Sequence, residues 1–423
     1  MAVNLEPPKE LLAVPGALVG SAAAAVKAGS VGGALEQRLD VAVFSFADGA
    51  DIGGAYTQSH FAAAPVVLAR ARNKHARAWV INSGNANAAT GEPGQADADS
   101  ICGTAARFLQ IGMEQVQPFS TGVIGERLPV DRINKAVGEC YRCLEADGWL
   151  DAAMAIMTTD TVPKGTSSRF DLDGETVTIT GIAKGSGMIK PNMATMLAYM
   201  ATDANVAAGV ADMLVEDSLG SSFNRITVDG DTSTNDCYML ACTGLASHEE
   251  ITGREHPLYS PLLESVRAVA MELAQSLVRD GEGATKFVEV RVTGGATAED
   301  CLSVAYTVAE SPLVKTALFA GDANWGRFCM AIGRAPIAKL DTRGVKLWLR
   351  SMQVSETPHT ADAVQVADAG MMCDSYTDAA GAAVLAQDEF TVHIDLGAGQ
   401  AAESVWTTDL SYDYVRINAE YRT

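Results

Sequence analysis

Five clusters rich in glycine, threonine, serine and asparagine interrupt an otherwise apolar sequence. They offer hydroxyl groups and unhindered backbone amides, and they lie at residues 81–91, 118–129, 183–205, 223–236 and 280–287. One such cluster alone is typical of a turn. Five in one chain indicate a reaction that uses a hydroxyl nucleophile and backbone hydrogen-bond donors.

The central cluster, AKGSGMIKPNMATMLAYMATDAN, places one threonine at the start of an apolar, strand-like run. A glycine loop begins at Lys184 and leads to Ala194 and Thr195, and MLAYM follows directly. The Thr195 hydroxyl is suited to attack the Ala194 carbonyl, and cleavage there frees an α-amine with a pKa of about 8. That amine can serve as the general base of an N-terminal threonine nucleophile. Thr195 equally fits an ordinary β-branched strand position.

The common cofactor and metal patterns are absent. KGSGMIK at 184–190 has two of the three glycines of a dinucleotide fingerprint, and DGEGATK at 280–286 lacks the spacing of a Walker loop. VDGDTSTND at 228–236 lacks the turn glycine and closing glutamate of an EF-hand. The six histidines form no HExxH pair, and no GxSxG elbow occurs. The sequence therefore predicts no metal site and no cofactor.

Charge and hydropathy limit the partners. Acidic residues outnumber basic ones by 52 to 31, a formal charge of -21, which disfavours nucleic acid and anionic membrane surfaces as partners. No run of 18 apolar residues occurs, and the first residues, MAVNLEPPKE, lack the pattern of a signal peptide. We therefore predict a cytoplasmic protein, or an organellar one from which a transit peptide has been removed.

The eight cysteines are too scattered for a disulfide framework. One CxxC pair, Cys140 and Cys143, has no second pair or nearby histidines to complete a zinc site. We therefore predict that the two cysteines lie on one helix.

Secondary-structure elements must position these clusters. In the sequence, short apolar runs alternate with alanine-rich segments of helical period, and this alternation predicts an α/β or α+β fold. ARAWVINSG is predicted as a strand and DADSICGTAARFLQIG as a helix. A polar loop is predicted at 248–256 and a helix at 259–278. Further predicted strands are 39–46, 175–182, 196–200, 287–293, 345–349 and 390–395.

The central cluster resembles the self-cleavage segment of the ornithine acetyltransferase family, also called bifunctional glutamate N-acetyltransferases. The similarity covers essentially the whole chain. Family-like blocks follow in the family's order: FAAAPVVLAR, WVINSGNANAATGEPG, PFSTGVIGERLP, FNRITVDGDTSTND, DGEGATKFVEV, GDANWGR and YVRINAEYRT. The resemblance implies a layered α/β sandwich of the self-processing, N-terminal-threonine type.

The resemblance also implies cleavage between Ala194 and Thr195. Residues 1–194 would form a chain with the oxyanion-hole and loop residues, and residues 195–423 a chain that begins with the nucleophile. The two chains would build one intertwined α/β body, which assembles into a dimer of such pairs or a larger oligomer. Thr195 would carry acetyl from N-acetylornithine to glutamate in arginine biosynthesis, without a cofactor. Acetyl-CoA is a possible second donor.

The site residues follow from the same resemblance. Thr121 and Gly122 match the family's oxyanion-hole pair, whose donors stabilise negative charge in the transition state. A cation such as Lys184 suits the substrate's α-carboxylate, and a carboxylate such as Glu282 suits its terminal amine. The matched substrate contacts are Thr161, Lys184, Thr195, Glu282, Asn418 and Thr423.

Two other functions are compatible with the same elements. In a self-processing aminopeptidase or amidohydrolase of related fold, water takes the acyl group; the pair of Lys184 and Glu282 disfavours this reading. An uncleaved binding protein on the same fold is expected only where Thr195 or Thr121 is missing, and both are present.

Overall fold

The computed structural model describes residues 2–27, 38–190, 196–352 and 363–420. The chain forms two compact units. The larger unit comprises Glu6–Asn224 and Asp231–Leu277, and the smaller unit comprises Met1–Leu5, Arg225–Gly230 and Val278–Thr423.

Nine strands and six helices are described in the larger unit. The strands are β1 (Ala17–Ala22), β2 (Val41–Phe46), β3 (Asp51–Tyr56), β4 (Ala78–Asn85), β5 (Val116–Val123), β6 (Lys164–Leu172), β7 (Glu175–Lys184), β8 (Leu197–Thr202) and β9 (Cys237–Cys242). The helices are α1 (Ala64–Arg72), α2 (Gly91–Leu109), α3 (Val130–Arg142), α4 (Trp149–Ala155), α5 (Val210–Leu219) and α6 (Tyr259–Arg279).

These strands form two sheets that pack face to face. One sheet has the order β1-β2-β4-β5 and the other β3-β9-β8-β7-β6. The ring of Tyr199, on β8, lies 5.5 Å from that of Trp79 and 5.3 Å from that of Phe119, which belong to β4 and β5. All three side chains are buried. Burying an aromatic side chain of this size contributes about 2 kcal/mol to the free energy of folding. These three rings therefore stabilise the packing of one sheet on the other.

Helices cover the outer faces of both sheets. Alternate residues of β2 face opposite ways: Phe44 packs in the core between the sheets, whereas Val43 belongs to a second buried cluster that includes Ile101 of α2 and Ile133 of α3. On the other side, α5 packs on β3 and β9, and Leu273 of α6 lies close to Gly181 of β7. The larger unit is thus a four-layer α/β sandwich, which confirms the predicted fold class.

The smaller unit contains one mixed sheet with helices. Its strands are β10 (Phe287–Gly295), β11 (Lys346–Ser351), β12 (Ala363–Asp368), β13 (Met371–Met372), β14 (Glu389–Asp395) and β15 (Ala401–Thr408), in the order β13-β12-β11-β14-β10-β15. Its helices are α7 (Ala298–Ala309), α8 (Pro312–Ala320), α9 (Trp325–Gly333), α10 (Asp378–Leu385) and α11 (Tyr412–Ala419). Val290, Phe328 and Leu347 belong to its buried core.

The predicted elements are found within a few residues of their expected bounds. The strand predicted at 196–200 is β8, and the helix predicted at 259–278 is α6. The predicted loop at 248–256 is a loop, but it is anchored: His248 is buried, and its Nε2 accepts the Asn205 N–H at 3.0 Å. Cys140 lies in α3 as predicted, whereas Cys143 caps its end.

Among the described residues, no helix combines the length and apolar character that crossing a membrane requires.

Candidate active site

Thr121 and Gly122 lie near the end of β5, beside the end of β4. The two strands are parallel, with Thr121 opposite Ser83 and Gly122 opposite Gly84. Gly122 has a φ of +131°, and a Cβ atom there would lie 2.3 Å from the Gly84 carbonyl carbon. Only glycine fits at this position, because a side chain would collide with backbone that has no room to move.

Buried amides connect three of the five polar clusters. Ser120 Oγ lies 2.7 Å from Asn82 Oδ1. The Asn235 side chain donates to the carbonyls of Ala86 and Ser120, at 2.6 and 2.8 Å. Because buried amides that are fully hydrogen bonded hold their partners in one geometry, these contacts fix the backbone that carries Thr121.

Lys184 reaches the same place from the other sheet. It is the last residue of β7, and its Nζ donates to Thr121 Oγ1 and Thr158 Oγ1, each at 3.0 Å. Leu197, two residues after Thr195 in the sequence, is the cross-strand partner of Lys184 on β8. The structure therefore joins Lys184 and Thr121, two of the predicted site residues, beside the strand that follows the predicted nucleophile.

A buried ion pair next to the glycine loop supports this arrangement. Lys164 Nζ lies 2.6 Å from Asp160 Oδ1, and both side chains are fully buried. Asp160 also accepts the Thr158 N–H at 2.9 Å and the Gly185 N–H at 2.8 Å. Asp160 thus ties the segment of Thr158 to the loop that begins after Lys184. Thr161, a predicted substrate contact, follows Asp160 directly and is exposed.

The electrostatics of Asp160 keep it ionised. Burial alone would raise the pKa of this carboxyl, but the charges of Lys164 and Lys184, together with its hydrogen bonds, hold that pKa well below its usual range. Asp160 therefore carries a negative charge at every pH where the protein would work.

A second buried carboxyl, Asp236, lies directly before β9. It is 2 % exposed, and its Oδ2 atom has no hydrogen-bond partner among the described residues. Burial raises the pKa of Asp236 well above its usual value, while the nearby charge of Lys184 opposes that rise. Both Asp160 and Asp236 were missed at the sequence level. The spacing of Asp160 four residues before Lys164 was an available signal, as was the position of Asp236 within the STND run.

Two further predicted substrate contacts meet in the smaller unit. The Asn418 side chain, on α11, donates to Glu282 Oε2 at 2.8 Å. The loop of Glu282 is fixed by Ser411 Oγ, which donates to the Gly283 carbonyl at 2.6 Å. Ala194, Thr195 and Thr423, the remaining predicted site residues, fall in the stretches that are not described.

Comparison with known proteins places this chain among enzymes that transfer acetyl groups in arginine biosynthesis. A model of the ArgJ family matches residues 22–423. The arginine biosynthesis bifunctional proteins ArgJ of Pseudomonas fluorescens and of Pseudomonas syringae pv. tomato are each 48% identical over 424 residues, which covers 100% of both chains in each pair. The chain belongs to the ArgJ family, which confirms the resemblance read from its motifs.

Solved structures include two similar proteins. One is the arginine biosynthesis bifunctional protein ArgJ from Bacillus halodurans, which is 34% identical with a TM-score of 0.46, over 51% of this chain and 95% of that chain. The other is the ornithine acetyltransferase from Mycobacterium tuberculosis complexed with ornithine, which is 29% identical with a TM-score of 0.35, over 43% of this chain and 95% of that chain.

Proposed function

We propose that this enzyme moves acetyl from N-acetylornithine to glutamate through an acetyl ester on Thr195, after it has cleaved itself between Ala194 and Thr195. The observation that carries the proposal is the contact of Lys184 Nζ with Thr121 Oγ1 at 3.0 Å, on a strand whose neighbour begins two residues after Thr195. A cation and a hydroxyl are thereby held beside the start of β8, the strand that follows the predicted nucleophile in the sequence.

The first half of the reaction follows from these groups. The Thr195 hydroxyl gives its proton to the residue's own α-amine and attacks the acetyl carbonyl. Thr121 and Gly122 stabilise the oxyanion, and one such donor contributes about 3 kcal/mol to the transition state. The carbon–nitrogen bond breaks, the proton passes to the leaving amine, and ornithine departs.

The second half reverses these steps with a new amine. The amino group of glutamate attacks the Thr195 ester and forms N-acetylglutamate. The threonine oxygen leaves and regains a proton, so the enzyme returns to its starting state without a metal or cofactor. Lys184 binds the α-carboxylate that both substrates share. Thr161, Glu282, Asn418 and Thr423 stay predictions as further substrate contacts, as do the cytoplasmic location and assembly into a dimer of cleaved pairs or a larger oligomer.

Acetyl-CoA is a second proposed donor. Two relatives of 48% identity are named bifunctional, and the acetyl ester on Thr195 could be formed from a thioester by the same attack. Formation of N-acetylglutamate from acetyl-CoA and glutamate by purified enzyme would support this second activity, and its absence would limit the enzyme to N-acetylornithine.

Intact mass under denaturing conditions tests the nucleophile. The wild-type protein is expected to give two chains, residues 1–194 and 195–423, and Thr195→Ala a single chain without transferase activity. Thr166→Ala, which changes a half-buried threonine on the edge strand β6, serves as the matched control and should cleave normally. A single intact wild-type chain would contradict the mechanism and favour an uncleaved binding protein. Cleaved wild-type protein that hydrolyses the acetyl group without passing it to glutamate would favour the amidohydrolase reading.

A further inference from the structure

The loop that carries Glu282 spans residues 280–286, between the end of α6 and the start of β10. The Glu282 side chain is buried, and in the described part of the chain its hydrogen-bond partner is Asn418, which donates to Oε2. The second oxygen, Oε1, accepts no hydrogen bond from the described residues. Because buried carboxylates are ordinarily paired with a cation, this carboxylate is suited to a ligand that brings one.

Asp409, which follows β15 directly, holds the end of this loop with three hydrogen bonds. Its Oδ1 atom accepts the Thr285 N–H at 2.8 Å and the Lys286 N–H at 3.0 Å, and its Oδ2 atom accepts the Thr285 hydroxyl at 2.6 Å. The Asp409 side chain is itself buried. Since hydrogen bonds from backbone N–H groups to a carboxylate are strong, the end of the loop is held in one position.

The backbone on both sides of Asp409 is fixed in turn by Lys315, a buried lysine of α8. Lys315 Nζ donates to the Thr408 carbonyl, and the Leu410 N–H donates to the Lys315 carbonyl at 3.2 Å. The same Nζ donates to Thr407 Oγ1 at 3.1 Å. Asp409 therefore extends from a segment that is anchored before and after it.

Ser411 holds the loop next to Glu282 itself. Its Oγ atom donates to the Gly283 carbonyl at 2.6 Å, and the same side chain caps the start of α11 by accepting the Tyr414 N–H. Gly283 has a φ of +67°, and a Cβ atom there would lie 2.4 Å from the Tyr414 nitrogen. The loop thus lies directly against the start of the helix that carries Asn418.

We propose that Asp409 is a positioning residue for substrate specificity: through Thr285 and Lys286 it holds the Glu282 carboxylate where the terminal ammonium group of the acetyl donor binds. The inference rests on the proposed function, in which Glu282 is a substrate contact, and it adds the residue that fixes the position of that contact. Asp409 does not touch the substrate, because its oxygens accept the hydrogen bonds of the loop.

The quantity to measure is the preference for a donor with a terminal amine. It is kcat/KM for N-acetylornithine divided by kcat/KM for N-acetylnorvaline, whose side chain lacks that amine. In a reaction through an acetyl-enzyme, kcat/KM for the donor depends on the first half of the reaction alone, so the acceptor does not affect the ratio. A variant that only loses stability or active fraction lowers both values by the same factor and leaves the ratio unchanged.

Asp409→Ala removes all three hydrogen bonds to the loop. We expect the ratio to fall about 10-fold, through kcat/KM for N-acetylornithine, because Glu282 is no longer held in the geometry that the ammonium group requires. Asp409→Asn is the conservative variant. It keeps an oxygen for the two backbone N–H groups and should retain the ratio to within about threefold.

Asp409→Glu gives the same readout where the alanine variant fails to accumulate. It keeps the negative charge but moves the oxygens by one methylene group, so the ratio should again fall about 10-fold. Glu282→Gln is the reference for complete loss of the contact, with an expected fall of about 100-fold. The matched control is Asp374→Ala, which removes an exposed turn carboxyl between β13 and α10 and should leave both values unchanged.

The outcomes distinguish this inference from the function on which it rests. If Glu282→Gln lowers the ratio but folded Asp409→Ala and Asp409→Glu keep it, the role of Asp409 alone is overturned. An equal fall in both kcat/KM values would also overturn it, because Asp409 would then be structural.

A ratio that Glu282→Gln does not change would instead overturn the Glu282 contact, and this inference with it. Absence of transfer from N-acetylornithine in the wild type would overturn the proposed function. Calorimetric titration with ornithine and with norvaline then measures the same preference as a ratio of dissociation constants, and a ratio that is equal in wild type and Asp409→Ala would overturn the role of Asp409.

Discussion

Lys184 Nζ lies 3.0 Å from Thr121 Oγ1, and the two residues come from strands in different sheets of the larger unit. The contact therefore depends on how the two sheets pack against each other at the site. Lys184 also donates to Thr158 Oγ1, so two neutral hydroxyls hold the ammonium group in position, while its charge acts on the buried carboxyls of Asp160 and Asp236.

Replacement of Thr121 by valine tests the hydroxyl of this pair. Valine keeps the shape of threonine and removes the oxygen, so Lys184 loses one partner and the proposed oxyanion hole loses a donor. We expect kcat to fall about 100- to 1,000-fold, with little change in the melting temperature. Thr166→Val, measured beside it, should retain wild-type kcat. Equal activity in both variants would exclude a role for the Thr121 hydroxyl.

Gly122→Ala should be strongly destabilising. The new methyl group would lie 2.3 Å from the Gly84 carbonyl carbon, and the positive φ is itself unfavourable. We expect a loss of about 3 kcal/mol or more in the free energy of unfolding. Gly125→Ala is the matched control, because Gly125 also has a positive φ but nothing within 4 Å of the added atom. It should cost about 1 kcal/mol. Similar losses for the two variants in urea unfolding would show that close packing at Gly122 is unimportant.

Asp160→Asn leaves Lys164 buried without its counter-charge. We expect a loss of about 3 to 5 kcal/mol in the free energy of unfolding at pH 7. The pKa of Asp160 is lower in the folded than in the unfolded state. The ionised carboxyl therefore contributes its full stabilisation above pH 3.8, the pKa of an ordinary aspartate, and this stabilisation is lost as the pH falls through the pKa of the folded state. The difference between wild type and variant should therefore shrink below about pH 4.

The double variant Asp160→Asn with Lys164→Met is the control for this pair. It removes both charges and should recover much of the lost stability, since replacing a whole buried pair is often close to neutral. Urea unfolding of the three proteins gives the coupling energy. A double variant no more stable than Asp160→Asn would show that the pair is not the cause.

His393 should make the smaller unit sensitive to acid. Burial and the charges of Arg350 and Arg291 lower the pKa of His393 to about 4, from an ordinary value of 6.5. The unfolded chain therefore binds more protons between these values, and stability falls as the pH drops below 6.5. His393→Gln removes this dependence, and we expect wild type to lose about 2 kcal/mol more than the variant between pH 7 and pH 4.5.

Thermal unfolding at several pH values measures this difference. His75→Gln changes an exposed histidine of the larger unit and should follow the wild-type curve. Parallel curves for wild type and His393→Gln would show that this histidine does not set the acid sensitivity.

The strands that sequence predicted are those whose apolar runs match their burial. β8 is buried at every position, and its run of apolar residues made it easy to find. β3 was missed because DIGGAY contains two glycines and no apolar run. Only the fold shows why residue 53 must be glycine: a Cβ atom there would lie 2.2 Å from the Ala211 carbonyl carbon of α5. β6 was missed because its residues are mostly polar and partly exposed, as an edge strand permits.

The residues of the site likewise divide into those that the sequence predicted and those that it did not. The resemblance pointed to Thr121, Gly122 and Lys184, whose contacts the structure describes. Asp160 and Asp236 were not predicted, because their importance depends on partners distant in sequence: Gly185 for Asp160, and Lys184 for Asp236. Local patterns report neither burial nor such contacts, and a lone aspartate within a polar run is ordinarily a surface residue.

The five-stranded sheet has a consequence for any chain cut between Ala194 and Thr195. Its order β3-β9-β8-β7-β6 places β8 and β9, which follow the cut, between β3 on one side and β7 on the other, which precede it. The carboxy-terminal piece would thus be hydrogen bonded along both flanks to the amino-terminal piece. Dilution alone should not release it, and recovery from denaturant would change from a unimolecular to a bimolecular process. The cut is then a step that the protein can take safely only after it has folded.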